Sequence, residues 1–391
     1  MKKLMIMGAG IYQVPLIKKA KELGIYTIVV SIPGPYPGFA LADEVLYLDT
    51  RDREAVLAAA RERGISGICT TGTDVAVRTI GYVADALGLS GISAEAAEIV
   101  TDKRNMKAAF ARGGVRTAAF REVCSLEEAK TAARGIGYPI CLKAVDKSGS
   151  RGIRKVLSEE ELPEAYDLCR SVTDRDYLLV EEYITADEIG VDGFVKNGKM
   201  VLCLPHNKFV YRAGKVCIPG GHQFPYRCSD DLRADIEKEI AAAIAACGMD
   251  NCAFNADVFV KDEKAWLIEI GGRCGATCIP EILSIYCGYD YYEKMILSAM
   301  GEEVDFSYSR TRPAMAKLLF SEREGKLLKI RQEVLDGLDE AGINWHLDYK
   351  AGDILPAVQN GTDRIGHLYM ATDKEEEIDR GLALLKEALV Y

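Results

Sequence analysis

The first 100 residues alternate between strand-like and helix-like segments, and this alternation constrains the fold more than any other feature. The apolar runs are LMIMGAG, TIVVSI and GICTTG, and the segments with helical periodicity are VPLIKKAKELG, REAVLAAARERG and VAVRTIGYVADALG. A βαβα order is typical of a parallel sheet with helices on both faces. The N-terminal region is therefore predicted to be an α/β domain.

A glycine turn, Gly8-Ala9-Gly10, follows the first of these strands. Two glycines here also begin the phosphate-binding turn of dinucleotide-binding domains, but the third glycine of that motif would fall at Gln13. The favoured interpretation is a tight strand-to-helix turn, and contact with part of a substrate stays open. A dinucleotide-binding oxidoreductase that uses residues 1–100 is kept as an alternative.

The pattern changes near residue 101. The strand-like segments PICLKAV, GIRKVL and YLLVEEYI, with helices between them, predict a small α+β unit that could move as a lid. Further on, Asn197-Gly198 between two strand-like runs is a strong signal for a two-residue hairpin turn. We expect three domains, namely 1–100, 101–310 with a lid at about 114–185, and a small C-terminal α+β domain at 311–391.

Composition excludes several classes of protein. The 391 residues include 49 basic and 59 acidic side chains, a formal charge of -10, so neither nucleic acid nor an anionic membrane is an expected partner. No apolar run approaches about 18 residues, and the first segment fits a strand better than a secretory leader. The twelve cysteines lack zinc spacing, which favours reduced thiols in a cytoplasmic protein.

The segment KAVDKSGSRGI combines a strand lysine, Lys143, with a loop of glycine and serine at residues 148–152. Glycines let backbone N–H groups approach an anion closely, so this combination suits a polyphosphate. The loop does not fit GxxxxGK[ST], and no helix begins directly after it. Taken alone, an ordinary hairpin turn explains the segment equally well.

A second segment, LLVEEYITADE, places Glu181 at the end of an apolar strand. Exposed backbone at such a strand end can form hydrogen bonds to the edge of a purine. Glu188, seven residues further on, can accept hydrogen bonds from ribose hydroxyls. Glutamates at strand ends are common, so this segment is a weak signal by itself.

The third segment, FNADVFVKDEKAWLIEIGG, reads as a hairpin that turns over around residues 261–264. Counting back from the turn places Asp257 and Glu269 nearly opposite one another. Two facing carboxylates repel each other unless a cation lies between them. Hard oxygen ligands beside phosphates fit Mg²⁺, which takes one or two carboxylates and completes its shell with phosphate and water.

The order of the three segments, closing in E-I-x-x-R, resembles the ATP-grasp superfamily of carboxylate–amine ligases. The resemblance covers most of the chain and extends to the three-domain arrangement of the biotin-carboxylase-like and purine-ligase-like members. It implies a Rossmann-like domain before residue 101, a two-part ATP-grasp fold with a mobile lid, and a small C-terminal domain.

The resemblance also implies roles for individual residues. Lys103 and Lys143 would contact ATP phosphates, Arg273 would steady the transferred phosphoryl group, and Asp257 and Glu269 would bind Mg²⁺. The other expected nucleotide contacts are Ser148, Gly149, Ser150 and Gly152 in the loop, Glu181, Glu182, Tyr183 and Ile184 beside adenine, Glu188 on the ribose, and His222, for which an ordinary loop histidine is an equal alternative.

One position departs from the family pattern. Many members carry an asparagine metal ligand two residues after the second acid, and this chain has Gly271 there. Asn255 is a candidate replacement, because its offset of two residues from Asp257 keeps it on the same strand face. The departure leaves open whether one or two Mg²⁺ ions bind, and Mn²⁺ is also compatible.

The implied activity is an ATP-dependent ligation. ATP phosphorylates a substrate carboxylate, and an amine or thiol attacks the acyl phosphate, with release of ADP and phosphate. The expected partners are small-molecule acids and amines, in a possible homodimer through the first domain. The alternatives are a purine-pathway enzyme with a phosphoribosyl substrate, the oxidoreductase named above, and a nucleotide-binding protein without catalysis.

Overall fold

The computed structural model describes residues 2–145, 152–213, 216–309, 311–321, 323–359 and 363–391. Within these ranges the chain is a mixed α/β protein with three main sheets. No helix in the described ranges is long and apolar enough to cross a membrane.

The N-terminal region forms a four-stranded sheet in the order β3-β2-β1-β4 with all neighbours parallel, so the predicted parallel α/β sheet is confirmed. Its elements are β1 (Lys3–Met7), α1 (Val14–Glu22), β2 (Tyr26–Ser31), β3 (Glu44–Tyr47), α2 (Arg53–Arg63), β4 (Gly67–Cys69), α3 (Val77–Leu87) and α4 (Ala94–Val100). A further helix, α5 (Lys103–Gly113), leads to the next sheet.

The glycine turn after β1 is filled by the chain's own side chain. Gly8 has a φ of 103°, and Gly10 donates its N–H to Gln13 Oε1 at 2.9 Å. Gln13 Nε2 in turn donates to the carbonyl of Thr71 at 2.5 Å. Gln13 therefore already accepts the hydrogen bond from the Gly10 N–H that a bound pyrophosphate would need. This supports the tight-turn interpretation.

A small antiparallel sheet follows, in the order β5-β8-β6-β7. Its elements are β5 (Phe120–Val123), α6 (Leu126–Ile136), β6 (Ile140–Lys143), β7 (Ile153–Val156), α7 (Leu162–Arg170) and β8 (Leu178–Glu182). The two helices bury their own apolar cluster against the sheet, separate from the other cores. The predicted loop residues Ser148, Gly149 and Ser150 lie outside the described residues.

The largest sheet has eight strands in the order β13-β12-β9-β10-β11-β14-β19-β17. Its first part comprises β9 (Asp187–Lys196), β10 (Lys199–Ala213), β11 (Val216–Phe224), α8 (Asp230–Cys247), β12 (Cys252–Lys261) and β13 (Lys264–Gly271). Asn197 and Gly198 join β9 to β10 with positive φ values of 51° and 71°, so the predicted two-residue hairpin is confirmed.

The remaining elements are α9 (Ile279–Cys287), α10 (Tyr291–Ala299), β14 (Ala314–Phe320), β15 (Gly325–Lys326), β16 (Lys329–Ile330), α11 (Gln332–Glu340), β17 (Asn344–Leu347), β18 (Ile354–Leu355), β19 (Arg364–Met370), α12 (Glu375–Glu387) and β20 (Leu389–Val390). Strand β14 pairs with β11, so the large sheet continues across the expected domain boundary at residue 311. The three-domain division therefore stays a prediction.

Two large apolar clusters join the N-terminal sheet to the large sheet. One packs Ile80 and Phe110 with Ile240 and Phe254, and the other packs side chains of β1 and α1 against α9 and α10. Burial of this size fixes the two sheets relative to each other.

Candidate active site

Asp257 on β12 and Glu269 on β13 are direct cross-strand partners, as the hairpin pattern predicted. Each acid carries its own lysine. Lys103 Nζ lies 3.0 Å from Glu269 Oε2, and Lys208 Nζ lies 2.7 Å from Asp257 Oδ1. The two ammonium groups offset the repulsion that facing carboxylates would otherwise feel.

The pair offers hard oxygen donors suited to a magnesium ion. Lys103 is the main reason that the pKa of Glu269 is lowered to about 2, so this acid is ionised at neutral pH. Burial raises the pKa of Asp257, and Lys208 opposes that effect. The described side chains include no group of three or more His, Cys, Asp or Glu residues arranged for a metal. Two carboxylates fit an ion that arrives with phosphate oxygens rather than one held by protein ligands alone.

Lys208 is a site residue that the sequence analysis missed. Its ammonium contacts Glu188, the expected ribose acid, as well as Asp257. Burial lowers the pKa of Lys208, but the two carboxylates more than offset this and the pKa is raised. The lysine lies on β10, 20 and 49 residues from its partners, and no local motif marks it.

A second ionic cluster lies where β6 and β8 of the small sheet meet α5. Glu181 Oε2 is 2.8 Å from Lys143 Nζ and 3.4 Å from Lys107 Nζ, and all three residues are buried. Burial acts against the charge of each group, yet the pKa of Glu181 is lowered and that of Lys143 is raised because they face each other. Glu181, expected beside adenine, thus holds two lysines here.

Lys107 was also missed, although the sequence contained a signal for it. It lies one helical turn after Lys103 on α5, so both lysines lie on the same helix face. Its ammonium donates to Thr117 Oγ1 at 2.6 Å in addition to its contact with Glu181. Burial is the largest influence on Lys107 and lowers its pKa.

Arg273 is held from two sides. Its Nη2 donates to Asp74 Oδ2 at 2.8 Å, and its Nη1 donates to Asn255 Oδ1 at 2.9 Å. Asn255 Nδ2 donates to Oδ2 of the buried Asp192 at 2.7 Å, and His206 Nε2 lies 3.0 Å from the same oxygen. The guanidinium is therefore fixed by the N-terminal region on one side and by the large sheet on the other.

The same contacts explain the departure at Gly271. Gly271 is the cross-strand partner of Asn255, and a Cβ added to it would lie 3.1 Å from Asp74 Oδ1. The Asp74 carboxylate thus crowds any side chain at this position. Asn255, the candidate replacement ligand, already gives its amide oxygen to Arg273.

The expected adenine-side residues lie at the end of β8. The N–H of Glu182 donates to the carbonyl of Ala119 at 2.8 Å, and the N–H of Tyr183 donates to that of Pro139 at 3.2 Å. The Tyr183 ring carries the Lys155 ammonium 4.1 Å from its centroid, and Ile184 is buried. Gly152, at the described end of the loop, accepts from the N–H of Ala144 at 2.8 Å.

His222 lies on β11 rather than in a loop, with its backbone paired to Lys208. Its ring packs edge-on against His206 at 4.9 Å between centroids, and its Nδ1 has no hydrogen-bond partner in the described part of the chain. Burial is the main cause that lowers the pKa of His222 well below its usual value. The imidazole is neutral at physiological pH and carries no charge for a phosphate.

Known proteins resemble this chain in sequence and in fold. Residues 136–281 match the ATP-grasp domain. The alanine–anticapsin ligase of Bacillus subtilis is 26% identical over 285 residues, and the match covers 66% of this chain and 59% of that ligase. The chain therefore spans less than two thirds of the length of that relative.

Two solved structures share the whole architecture. A phosphoribosylglycinamide synthetase from Anaerococcus prevotii has a TM-score of 0.85 and 29% identity, covering 100% of this chain and 98% of that chain. An L-amino acid ligase from Bacillus licheniformis has a TM-score of 0.81 and 19% identity, covering 100% and 99%, and its likeness shows the fold. The resemblance expected from the ordered motifs is thus confirmed: residues 136–281 match the ATP-grasp domain, and the whole chain shares the fold of these two structures.

Proposed function

We propose that this chain is an ATP- and Mg²⁺-dependent ligase that joins a carboxylate to an amine through an acyl phosphate. The observation that carries the proposal is the pairing of Asp257 with Glu269, each neutralised by a lysine, in a domain of the ATP-grasp type. Such a set neutralises the charge that gathers during phosphoryl transfer and needs no covalent protein intermediate.

The reaction divides into two steps. A carboxylate oxygen of the substrate attacks the γ-phosphorus of ATP, the bond to the bridging oxygen breaks, and ADP leaves. The amine nitrogen then attacks the acyl carbon, phosphate departs, and the nitrogen loses a proton. When bound at Asp257 and Glu269, Mg²⁺ supplies charge neutralisation for the phosphates.

The chain's own residues orient these groups. We propose that Lys103 and Lys143 exchange their carboxylate partners for phosphate oxygens when the nucleotide binds. Arg273, fixed by Asp74 and Asn255, steadies the transferred phosphoryl group. Glu181, which also contacts Lys107, positions Lys143 before this exchange. Glu182 to Ile184 remain the proposed adenine side, Glu188 the proposed ribose acid, and His222 a neutral wall of the site.

Phosphate release measured with ATP, MgCl₂ and pairs of amino acids tests the proposal. Lys143→Ala and Glu269→Ala should each abolish substrate-stimulated phosphate release, and Lys199→Ala, a change at an exposed hairpin lysine, should leave it intact. Full activity of both site variants would reject the assignment. ATP with MgCl₂, but not NAD, should raise the melting temperature of the wild-type chain.

A purine-pathway ligase is the second candidate. The likeness to a phosphoribosylglycinamide synthetase at 29% identity over the whole chain favours it. Such a reaction also releases phosphate from ATP, so the variants above cannot separate the two candidates. Substrate choice does separate them, because turnover would then require a phosphoribosyl amine and amino-acid pairs would be inactive.

Several finer proposals depend on the same activity. We propose one or two Mg²⁺ ions, with Mn²⁺ as a substitute, and we retain a thiol as an alternative nucleophile to the amine. We also propose a homodimer, a cytoplasmic location, and domains at 1–100, 101–310 and 311–391. Light scattering of the purified chain and titration with MgCl₂ and MnCl₂ check the assembly state and the metal count.

A further inference from the structure

A small cavity of about 30 Å³ lies beside the phosphoryl end of the site. Its walls come from Tyr12 in the glycine turn, residues 275–278 after Arg273, Glu281 in the first turn of α9, and Arg364 and His367 on β19. The cavity adjoins the candidate active site. Cys274 directly precedes the lining residues 275–278, and its carbonyl accepts hydrogen bonds from both Arg273 and Gly72.

The positive charge in this cavity is already matched. Arg364 Nε lies 3.0 Å from Asp348 Oδ2, and the two side chains are only 4% and 8% exposed. The Arg364 guanidinium also lies 5.0 Å from the centroid of the Tyr12 ring. Burial is the main cause that lowers the pKa of His367 well below its usual value, so this ring is neutral. The charge of Arg364 is thus paired with Asp348, although its Nε, like His367 Nδ1, makes no hydrogen bond within the described residues.

In this cavity Glu281 is an acid with an oxygen unpartnered in the described part of the chain, and the charge of Arg364 opposes the rise in its pKa that burial causes. Glu281 Oε1 accepts a hydrogen bond from Tyr292 at 2.9 Å, whereas Oε2 is shielded from solvent and has no partner in the described ranges. A buried carboxylate oxygen without a donor costs more than most single contacts contribute. A ligand that brings a cationic donor would remove that cost.

Size points in the same direction. A group the size of a water molecule needs roughly 10–15 Å³ of cavity volume, so the cavity holds about two such groups. An ammonium group with its neighbouring carbon fits this volume, whereas a phosphate with its four oxygens does not. The size of the cavity therefore disfavours a phosphoribosyl head group.

We propose that this cavity binds the ammonium group of an amino-acid substrate, with Glu281 as its acceptor. The inference rests on the proposed ligase function and names the class of one of its substrates. Glu281 binds and positions this substrate, while phosphoryl transfer takes place at Arg273 and the acid pair. Burial raises the pKa of the empty Glu281, and an ammonium partner favours the ionised carboxylate.

The test compares substrates on the intact chain. ADP release with ATP and MgCl₂ is measured with each of the twenty L-amino acids, singly and in pairs, and the KM of the best one is compared with that of its α-hydroxy acid. We expect the hydroxy acid to have a KM at least about tenfold higher, because it lacks the ammonium charge. Equal KM values for the two compounds would overturn the inference.

The second test compares the variant Glu281→Gln with wild type. We expect it to raise the KM of the amino acid at least about tenfold and to change the KM of the hydroxy acid little, with Glu303→Gln, at an exposed acid, as the matched control. If Glu281→Gln does not fold, Tyr292→Phe replaces it, with the same preferential loss for the amino acid expected. An unchanged amino-acid KM in the folded variant contradicts the inference.

The outcomes also separate this inference from the ligase proposal. Turnover with a phosphoribosyl amine but with no amino acid overturns the ammonium site and leaves an ATP-dependent ligase standing. Absence of ATP-dependent turnover with every acid and amine pair rejects both.

Discussion

Asp257 and Glu269 face each other across β12 and β13, and neither lysine that neutralises them comes from that hairpin. Lys103 begins α5, and Lys208 lies on β10. Three elements distant in sequence therefore meet at the acid pair. In the exchange that we propose, nucleotide and metal compete with the lysines for these acids, so the charge of each lysine should set how strongly the metal binds alone.

Replacing Lys208 with methionine should separate metal binding from turnover. The change leaves Asp257 and Glu188 without their shared cation, so we expect Mg²⁺ to bind about tenfold more tightly in the absence of nucleotide. ATP turnover should fall, because the cation that Asp257 and Glu188 share is then missing from the candidate site. Calorimetric titration with MgCl₂ measures the first effect, and Lys199→Met is the control. Weaker Mg²⁺ binding in Lys208→Met would contradict this account.

Glu181 should prove to be a structural anion as well as a nucleotide neighbour. Glu181→Gln leaves Lys107 and Lys143 buried without a counter-charge, so we expect the free energy of unfolding to fall by about 3–5 kcal/mol. Urea unfolding followed by circular dichroism measures this change.

A double-mutant cycle sharpens the test. Adding Lys107→Met to Glu181→Gln removes one of the two unmatched charges, so the double variant should be more stable than Glu181→Gln alone. Additive losses would show that the three side chains do not act as one ionic cluster.

Local patterns in the sequence were sufficient for much of this architecture. The register of Asp257 against Glu269 follows from counting outward from a short turn, and Asn197-Gly198 fixes the neighbouring hairpin in the same way. The parallel N-terminal sheet follows from the alternation of strands and helices. Each of these features depends on residues close together in the chain.

The missed residues depend on pairing between distant elements. Lys208 reaches Asp257 across 49 positions, and Asp74 reaches Arg273 across 199. No periodicity within either segment shows that these side chains converge, because that convergence is set by how the two large apolar clusters bring the sheets together. Lys107 is different, since its spacing of four residues from Lys103 placed both on one helix face.

Asp235 provides a stability prediction outside the reaction site. Burial opposes its charge, but Arg116 at 2.6 Å and the N–H of Ala265 at 2.8 Å hold its pKa below the usual value. Its contribution to stability is present above about pH 4 and is lost as the pH falls below that value. We expect Asp235→Asn to lower the free energy of unfolding by about 2 kcal/mol at pH 7.

The pH series distinguishes this effect from a packing change. The free energy of unfolding of Asp235→Asn should approach that of wild type as urea unfolding is repeated from pH 6 towards pH 3. Asp167→Asn, at an exposed acid, should match wild type at every pH. A deficit of constant size would assign the loss to packing rather than to the ion pair.

Gly271 tests why this chain departs from the family pattern. A Cβ at this position would lie 3.1 Å from Asp74 Oδ1, so Gly271→Asn crowds the carboxylate that holds Arg273 and shifts it. Because small misplacements of a group that orients the reaction are costly, we expect phosphate release to fall by about tenfold to a hundredfold. Gly135→Ala is the control, since a Cβ there meets nothing within 4 Å.

The size of the new side chain decides between two explanations of the glycine. If Gly271 only makes room for Asp74, then Gly271→Ala should already lose most of the activity that Gly271→Asn loses, and neither variant should bind an additional Mg²⁺. If the position is a metal site that merely lacks its ligand, then Gly271→Asn should bind one more Mg²⁺ by titration and match or exceed wild-type turnover. Because the Asp74 carboxylate fills this space and holds the Arg273 guanidinium, we expect the first result.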